Sequence, residues 1–153
     1  MSIENYNYMV KASREQLKSE KNFIANLANI SAYINEFLDD VNWVGFYILI
    51  EDELVLGPFQ GKPACVRLKL GRGVCAKAVE TKKTVIVDDV NTFEGHIACD
   101  SNSNSEIVIP IMARGNVVVG VLDIDSASKG RFKKAEKDSL ENIVKEIEKY
   151  LIL

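Results

Sequence analysis

Two runs rich in β-branched residues, 107–112 and 117–124, constrain the fold of this chain more than any other feature. They flank the turn-forming stretch 113–116, so they are predicted to pair as an antiparallel hairpin. Because side chains alternate along a strand, Asp123 and Asp125 share one face and apolar residues occupy the other. The hairpin is therefore expected to carry acids on one side of a sheet and a hydrophobic core on the other.

The length of the turn decides which acid lies opposite Glu106, at the start of the first strand. A two-residue turn beginning at Arg114 pairs Glu106 with Asp123, whereas one beginning at Gly115 pairs it with Asp125. A three-residue turn would pair Glu106 with an apolar residue and mix the two faces, so the hydrophobic pattern excludes it. Both permitted registers gather the three acids on one surface.

Three acids on one sheet surface have two interpretations. They can lie at a solvent-exposed edge, where opposed like charges cost up to about 1 kcal/mol. Alternatively they line a pocket that accepts a cation, or that holds one carboxyl protonated because crowded carboxylates raise a pKa. Trp43 and Tyr47 lie four residues apart on another predicted strand and so point to one side. Aromatic rings in that position can flank a cation or an apolar stem, although strand aromatics are commonly plain core.

The remaining pattern predicts helices and strands in alternating groups. Gly57-Pro58 is expected to end the second strand, and residues 88–105 to form a long functional loop. The predicted elements are a helix with the stripe Phe23, Leu27, Ile30, Ile34 and Phe37, a strand from Trp43 to Ile50 that turns into Leu54-Val55-Leu56, a helix from Val74 to about Thr81, a strand from Thr84 to Val87, the hairpin, and a helix with the stripe Leu140, Ile143, Val144, Ile147, Tyr150 and Leu151. This order predicts one α+β domain over residues 1–153, with an antiparallel sheet.

Composition excludes several classes of function. The 153 residues carry a formal net charge of −3 without a stripe of Lys and Arg, which argues against a nucleic-acid partner. No apolar run approaches the roughly 20 residues of a membrane span, and residues 1–10 do not resemble a signal peptide. Three cysteines are an odd number, which argues against a secreted disulfide framework. A cytoplasmic location is therefore expected.

The segment from Gly95 to Glu106 places Cys99 and the only histidine of the chain, His96, in a polar loop. A structural cysteine usually lies among aliphatic neighbours, so Cys99 is predicted to be a reactive thiol. The competing interpretation is a zinc site formed by Cys65, Cys75, Cys99 and His96. Structural zinc sites favour short paired spacings, and only His96 and Cys99 have one.

Six segments of the chain carry a resemblance to a known family. They are NWVGFY (42–47), LVLGPFQGKPAC (54–65), GRGVC (71–75), GHIACD (95–100), SNSEIV (103–108) and GVLDIDS (120–126). Together they resemble the free methionine-(R)-sulfoxide reductases, which are built on a GAF domain. The resemblance implies a GAF-like α+β fold, with a central antiparallel sheet of about six strands and N- and C-terminal helices packed on one face.

The same resemblance implies roles for individual residues. Cys99 is expected to be the nucleophile, Cys65 the resolving thiol, and Cys75 a third thiol with a supporting or secondary resolving role. The substrate pocket would be lined by Glu106, Asp123, Asp125, Trp43 and Tyr47. The implied activity is thioredoxin-dependent reduction of free methionine (R)-sulfoxide in the cytoplasm, without a metal or an organic cofactor. A homodimer is compatible with this.

Two other function classes stay open on the sequence alone. One is a GAF module that senses a small molecule without catalysis, usually as part of a longer chain with an output domain. The other is a structural protein that binds zinc through the cysteines. Metal analysis and an activity assay would separate these alternatives from the enzyme.

Overall fold

The centre of the molecule is an antiparallel sheet of six strands in the order β3-β2-β1-β6-β5-β4. The structure is a computed structural model that describes residues 3–96 and 102–151. The strands are β1 (Trp43–Ile50), β2 (Glu53–Gly61), β3 (Arg67–Lys69), β4 (Val85–Val87), β5 (Ser105–Ala113) and β6 (Val117–Ser126). The hairpin predicted from the sequence, now β5 and β6, therefore lies inside the sheet, between β1 and β4.

Four α-helices lie within the described residues: α1 (Ile3–Ser19), α2 (Phe23–Phe37), α3 (Val74–Thr81) and α4 (Lys134–Lys149). A short 3₁₀ turn spans Val90–Thr92. Helix α2 begins where the Asn22 side chain accepts a hydrogen bond from Ala25 N at 2.9 Å. No helix in the described part of the chain is long and apolar enough to cross a membrane.

The two faces of the sheet are covered differently. Helices α1, α2 and α4 pack on one face and bury an aliphatic core against β1, β5 and β6. Helix α3 covers part of the other face, where a second cluster contains Trp43, Tyr47 and Cys75. The predicted GAF-like α+β architecture, with the terminal helices on one face, is confirmed.

Several element boundaries agree with the sequence, and two elements were missed. The bounds of α2, β1 and α3 are those predicted. Helix α1 was not predicted, because its buried stripe includes Ser13, whose hydroxyl donates to Met9 O at 2.9 Å. The strand β3 was missed because it has only three residues and lies at an edge.

The prediction that Gly57-Pro58 ends a strand was wrong. Strand β2 continues to Gly61, and the pair is accommodated where the register with β1 shifts between Gly45 and Tyr47. At this bulge two residues of β2 oppose one residue of β1, so the missing N–H of Pro58 interrupts no ladder bond. The bulge lets β2 extend alongside the part of β1 that carries Trp43.

The exclusion of a three-residue turn in the hairpin was also wrong. Ala113 pairs with Val117, so three residues connect the strands. A register shift between Ile111 and Met112 then moves the pairing by one residue, and Glu106 lies opposite Asp125. The bulge thus compensates for the longer turn and keeps the acidic and apolar faces separate, as the hydrophobic pattern requires.

Candidate active site

The three acids lie on the face of the sheet opposite α1, α2 and α4. Glu106 pairs with Asp125 across β5 and β6, and Asp123 lies two residues along the same strand. On the other side of β6, Trp43 pairs with Asp125 and Gly45 pairs with Asp123. Three adjacent strands therefore bring aromatic and acidic side chains to one place, because residues in register across a sheet share a face.

Glu106 and Asp123 are buried, at 7% and 6% exposure. The interpretation of these two acids as a solvent-exposed edge is therefore wrong. Glu106 forms hydrogen bonds with Asp123 and Asp125, whereas Asp123 Oδ1 is buried without a hydrogen-bond partner among the described residues. A buried acceptor without a donor is costly, so Asp123 is suited to a ligand that brings N–H groups.

Burial, reinforced by the charges of Asp123 and Asp125, raises the pKa of Glu106 well above its usual range. Burial also raises the pKa of Asp123, while hydrogen bonds from Glu106 and Cys75 act in the opposite direction. Because carboxyl groups this close disfavour each other's ionisation, the cluster favours holding a proton. We assign that proton to Glu106, because it is flanked by both other acids.

An aromatic wall forms one side of the pocket. The Trp43 ring stacks on Tyr47 with centroids 5.9 Å apart and on Phe59 at 5.3 Å. A Cβ atom at Gly45 would come within 2.6 Å of the indole, and one at Gly61 within 2.6 Å as well. Glycine at both positions therefore lets the indole lie flat against the sheet.

Hydrogen bonds hold both aromatic side chains to the loop that contains Cys65. Trp43 Nε1 donates to Lys62 O at 3.1 Å, and the Tyr47 hydroxyl donates to Cys65 O at 2.8 Å. Burial and the nearby charge of Asp123 raise the pKa of Tyr47, so its hydroxyl stays protonated and remains a donor. The predicted resolving cysteine is thereby fixed next to the aromatic wall.

Cys75 lies in the first turn of α3 and points into the acidic cluster. It is a free thiol, 5% exposed, and it forms a hydrogen bond with Asp123. Burial, followed by the charges of Asp123 and Glu106, raises the pKa of Cys75 well above its usual range. The side chain is therefore a protonated donor, and it is poorly suited to act as an attacking thiolate.

The pocket brings together six of the eight predicted site residues, namely Trp43, Tyr47, Cys75, Glu106, Asp123 and Asp125. Cys65 is joined to it through the Tyr47 hydroxyl. Cys99, predicted as the nucleophile, lies outside the described residues, as does the remainder of the stretch 97–101. The other residues that line the pocket are Pro63, Ala64, Leu68, Arg72, Gly73, Val74, Ala76, His96 and Ser103.

Three polar members of this lining were not predicted as pocket residues. His96 was considered only as a zinc ligand, and Arg72 and Ser103 were not considered individually. Ser103 accepts a hydrogen bond from Asn42 Nδ2 at 3.2 Å, a contact between residues far apart in sequence. Burial lowers the pKa of His96, partly offset by the charge of Asp123. The available signal was position: each lies in a segment that carries a motif of the family resemblance.

One group of side chains in the described part of the chain is compact enough to hold a cation. Ligand atoms of Cys75, Glu106 and Asp123 all lie within 4.8 Å of one another. This set differs from the zinc ligands considered from the sequence, since it includes two acids and neither Cys65 nor His96. A thiol with two carboxyl groups can surround a metal ion or an organic ammonium group.

Comparisons with known proteins agree with this geometry. Residues 27–150 match the model of the GAF domain. The free methionine-R-sulfoxide reductase of Escherichia coli (strain K12) is 52% identical over 135 residues, covering 88% of this chain and 81% of that protein. The chain belongs to the GAF-domain free methionine-R-sulfoxide reductases.

Two solved structures of this family from Staphylococcus aureus resemble the chain closely. The reduced form of fRMsr superposes with a TM-score of 0.92 at 51% identity, covering 97% of this chain and 96% of that one. The complex of fRMsr with substrate superposes with a TM-score of 0.91 at 50% identity and the same coverage. The fold of this reductase-family member is thus that of its relatives along nearly the whole chain.

Proposed function

We propose that the protein reduces free methionine (R)-sulfoxide to methionine. The observation that carries the proposal is the buried acidic cluster beside an aromatic wall, in a chain 52% identical to an enzyme of that name. The negative charge of the cluster can select a free amino acid. A free amino acid has an ammonium group, and a residue within a peptide does not.

The two sides of the pocket match the two ends of this substrate. Asp123 Oδ1 is a buried acceptor that has no hydrogen-bond partner within residues 3–96 and 102–151, so it is available to an ammonium N–H, with Asp125 close by. The flat faces of Trp43 and Tyr47 suit the S-methyl group and the carbon stem, which are apolar. An ammonium group inside the pocket also offsets the like charges of the acids.

Cys99 is the proposed nucleophile. Its thiolate attacks the sulfoxide sulfur and forms a transient bond between the two sulfur atoms. That bond and the sulfur–oxygen bond then break as the protonated oxygen passes to Cys99, so Cys99 is oxidised to a sulfenic acid and the methionine sulfur is reduced. The departing oxygen must gain a proton. Glu106 is the proposed donor because burial raises its pKa and so favours the protonated carboxyl, and Asp125 is the alternative.

Cys65 is the proposed resolving thiol. It condenses with the sulfenic acid of Cys99, which forms a disulfide and releases water. A dithiol reductant, thioredoxin, then reduces that disulfide through a mixed disulfide and is itself oxidised. Tyr47 supports this role by holding the backbone of Cys65 at the pocket, through its 2.8 Å hydrogen bond.

Cys75 is proposed to support the pocket and not to attack. Its protonated thiol donates to Asp123, and its burial and raised pKa disfavour the thiolate. The same acids would raise the pKa of any thiol brought close to them, which would slow attack by Cys99. The proton on Glu106 and the ammonium group of the substrate both reduce this effect.

The proposal is tested by a thioredoxin-coupled assay that follows NADPH oxidation. Four substrates are compared: the R and S epimers of methionine sulfoxide, each free and in an N-acetylated, amidated peptide. Turnover is expected for the free R epimer alone. Equal turnover of the peptide form would contradict recognition of the ammonium group, and binding of the amino acid without turnover would favour a sensing module.

A further inference from the structure

Cys65 lies in a segment whose backbone is anchored at one edge of the sheet. Its carbonyl accepts the Tyr47 hydroxyl at 2.8 Å, and the carbonyl of the next residue, Val66, accepts Leu56 N at 2.9 Å. The segment continues into β3, the edge strand, whose one neighbouring strand in the described part of the chain is β2. Cys65 is therefore held half-buried beside residues that face the solvent.

The exposed surface next to Cys65 combines one apolar side chain with several cations. Val66 is 61% exposed, although hydrogen bonding fixes its backbone. Four exposed side chains define what we call the Cys65 surface, namely Lys62, Val66, Arg67 and Lys69. Single exposed apolar side chains are common on proteins, so the charge that accompanies Val66 is the more informative feature.

The charge of this segment differs from that of the whole molecule. Residues 61–72 contain four Lys or Arg and no acid, whereas the chain has a formal net charge of −3. Two acids contact the segment from other elements, since Glu53 pairs with Arg67 at 3.4 Å and Glu80 accepts from Gly71 N at 3.1 Å. Two acids do not balance four cations, so the segment favours a partner with an acidic surface.

The chemistry of Cys65 specifies the kind of partner. Its sulfur belongs to a disulfide, and exchange begins when a thiolate reaches one sulfur of a disulfide. We propose that the Cys65 surface is the docking site of a dithiol protein with an acidic surface around its thiols, which attacks Cys65 and not Cys99. This inference rests on the proposed function and adds the place and the direction of recycling by the reductant.

The proposed exchange takes place in two steps. The thiolate of the reductant bonds to the Cys65 sulfur, the bond between Cys65 and Cys99 breaks, and Cys99 leaves as a thiolate. The second thiol of the reductant then attacks the mixed disulfide and passes its proton to Cys65, which leaves as a thiol. The reductant becomes a disulfide and the enzyme gains two electrons. Attack at Cys65 frees Cys99 first, in the form that the next sulfoxide requires.

The test compares variants of the Cys65 surface with matched variants elsewhere. Lys62→Glu is compared with Lys11→Glu, because Lys11 is an exposed cation of α1. Val66→Ser is compared with Val117→Ser, because Val117 is a 56% exposed valine at the start of β6. Methionine formation from saturating methionine (R)-sulfoxide is measured by chromatography. The reductant is either thioredoxin at varied concentration or dithiothreitol, a small dithiol that needs no docking surface.

Lys62→Glu is expected to raise the KM for thioredoxin about fivefold, because repulsion replaces the attraction of an exposed charge. Val66→Ser is expected to raise it about threefold through lost apolar contact. Both matched variants should equal the wild type, and all five proteins should turn over equally with dithiothreitol. Higher ionic strength should move the KM of the wild type toward that of Lys62→Glu, because salt screens exposed charges.

The direction of attack is tested by trapping. A thioredoxin variant that keeps its attacking cysteine and lacks the second one should remain joined to the enzyme as a mixed disulfide. Peptide mapping by mass spectrometry is expected to find it on Cys65. A thioredoxin trapped on Cys99 would overturn the proposed direction of attack.

Equal KM values for thioredoxin in Lys62→Glu, Lys11→Glu and the wild type would overturn the docking surface. Equal losses with both reductants would give Lys62 and Val66 a structural role, and turnover with dithiothreitol alone would exclude thioredoxin as the occupant, so either result refutes the proposal. If the wild type is inactive with both reductants, the proposed function fails. Enzyme oxidised with hydrogen peroxide then tests the surface, since slower reduction of Lys62→Glu by thioredoxin supports it and equal rates refute it.

Discussion

The two faces of the central sheet are made by the same strands but have opposite chemistry. On β6, Leu122 and Ile124 point to the helix-covered face and are fully buried among aliphatic side chains, whereas Asp123 and Asp125 point to the pocket. On β1, Phe46 packs into the helix-covered core while Trp43 lines the pocket. Adjacent residues of one strand therefore serve stability and recognition separately.

This separation has a physical reason. The helix-covered face gains free energy from every apolar group removed from water, so it tolerates no unpaired charge. The pocket face instead keeps an oxygen on Asp123 that has no hydrogen-bond partner in the described part of the chain, and it raises the pKa of Glu106 and Cys75, all of which cost stability. Such a cost is typical of sites arranged for a ligand or for proton transfer. Substitutions on the helix-covered face should therefore mainly lower stability, whereas substitutions on the pocket face should mainly lower activity.

The largest expected effect is the loss of turnover in Cys99→Ser. A hydroxyl is a far weaker nucleophile than a thiolate, so the thioredoxin-coupled rate should fall by more than about a thousandfold. Cys75→Ser is the matched control, and it should retain substantial activity because a hydroxyl can still donate to Asp123. Activity in Cys99→Ser, or an equal loss in both variants, would remove Cys99 as the single nucleophile.

The next effect compares neighbours on one strand. Ile124→Ala removes a fully buried side chain from the helix-covered face and should lower the free energy of unfolding by about 2–5 kcal/mol in urea titrations. Asp123→Asn replaces a buried acid with a neutral side chain of the same shape, so stability should be maintained or increased. Its KM for methionine sulfoxide should nevertheless rise about tenfold or more, since the charge partner of the ammonium group is lost.

If Asp123→Asn destabilised the fold as strongly as Ile124→Ala, the acid would be part of the structural core and the contrast between the faces would be wrong. KM for Ile124→Ala is measured at a temperature where the variant remains folded. An unchanged KM there would show that the aliphatic face does not shape the pocket directly.

A smaller effect concerns the dependence of stability on pH. The pKa of Glu106 is raised in the folded state, mainly by burial, so the folded protein holds a proton that the unfolded chain releases. Its contribution to stability is complete below the pKa of the unfolded chain, near 4.3, and is lost as pH rises toward the folded-state pKa. Glu106→Gln should therefore lose less stability than the wild type as pH rises above about 5.

Urea midpoints are measured at several pH values for both proteins. The midpoint of the variant is subtracted from that of the wild type at each pH, so that the contributions of other titrating groups cancel. Parallel curves would show that Glu106 is ionised in both states and is not the proton donor. In the same variant the coupled rate should fall, because an amide cannot supply the proton that the sulfoxide oxygen needs.

The sequence predicted the acidic face because alternation along a strand is a local property. It could not predict how Glu106 would come to lie opposite Asp125, since a bulge at Ile111 and Met112 compensates for a three-residue turn. Such compensation depends on two distant irregularities and leaves no periodic signal. Helix α1 was missed for a different reason: a serine interrupts the apolar stripe on its buried side.

The pocket was predictable in its strands and not in its loops. Trp43, Tyr47, Glu106, Asp123 and Asp125 follow strand periodicity, and the structure brings them together. Arg72 and His96 reach the same pocket from segments whose course depends on glycines with positive φ, namely Gly71, Gly73 and Gly95. No hydrophobic period connects those segments to the sheet, so only the tertiary structure shows which polar side chains complete the site.

The smallest effect is expected from removing a polar group on the helix-covered side of the molecule. The Tyr6 hydroxyl donates to Glu136, and the buried Glu136 also accepts from Lys133 N at 2.6 Å and pairs with Arg131 at 3.7 Å. Burial and the hydrogen bond with Glu136 raise the pKa of Tyr6 to about 12, so this donor keeps its proton. Tyr6→Phe should cost only about 1 kcal/mol in urea unfolding, because two other partners remain for the carboxylate.

Turnover and KM of Tyr6→Phe should equal those of the wild type, since Tyr6 packs with the aliphatic core on the face away from the acids. A changed KM would show that the first turn of α1 is coupled to the pocket through the sheet. An unchanged KM, set beside the effect of Asp123→Asn, would mean that recognition resides on one face, because both variants alter a buried hydrogen-bonding group and only one of them faces the substrate.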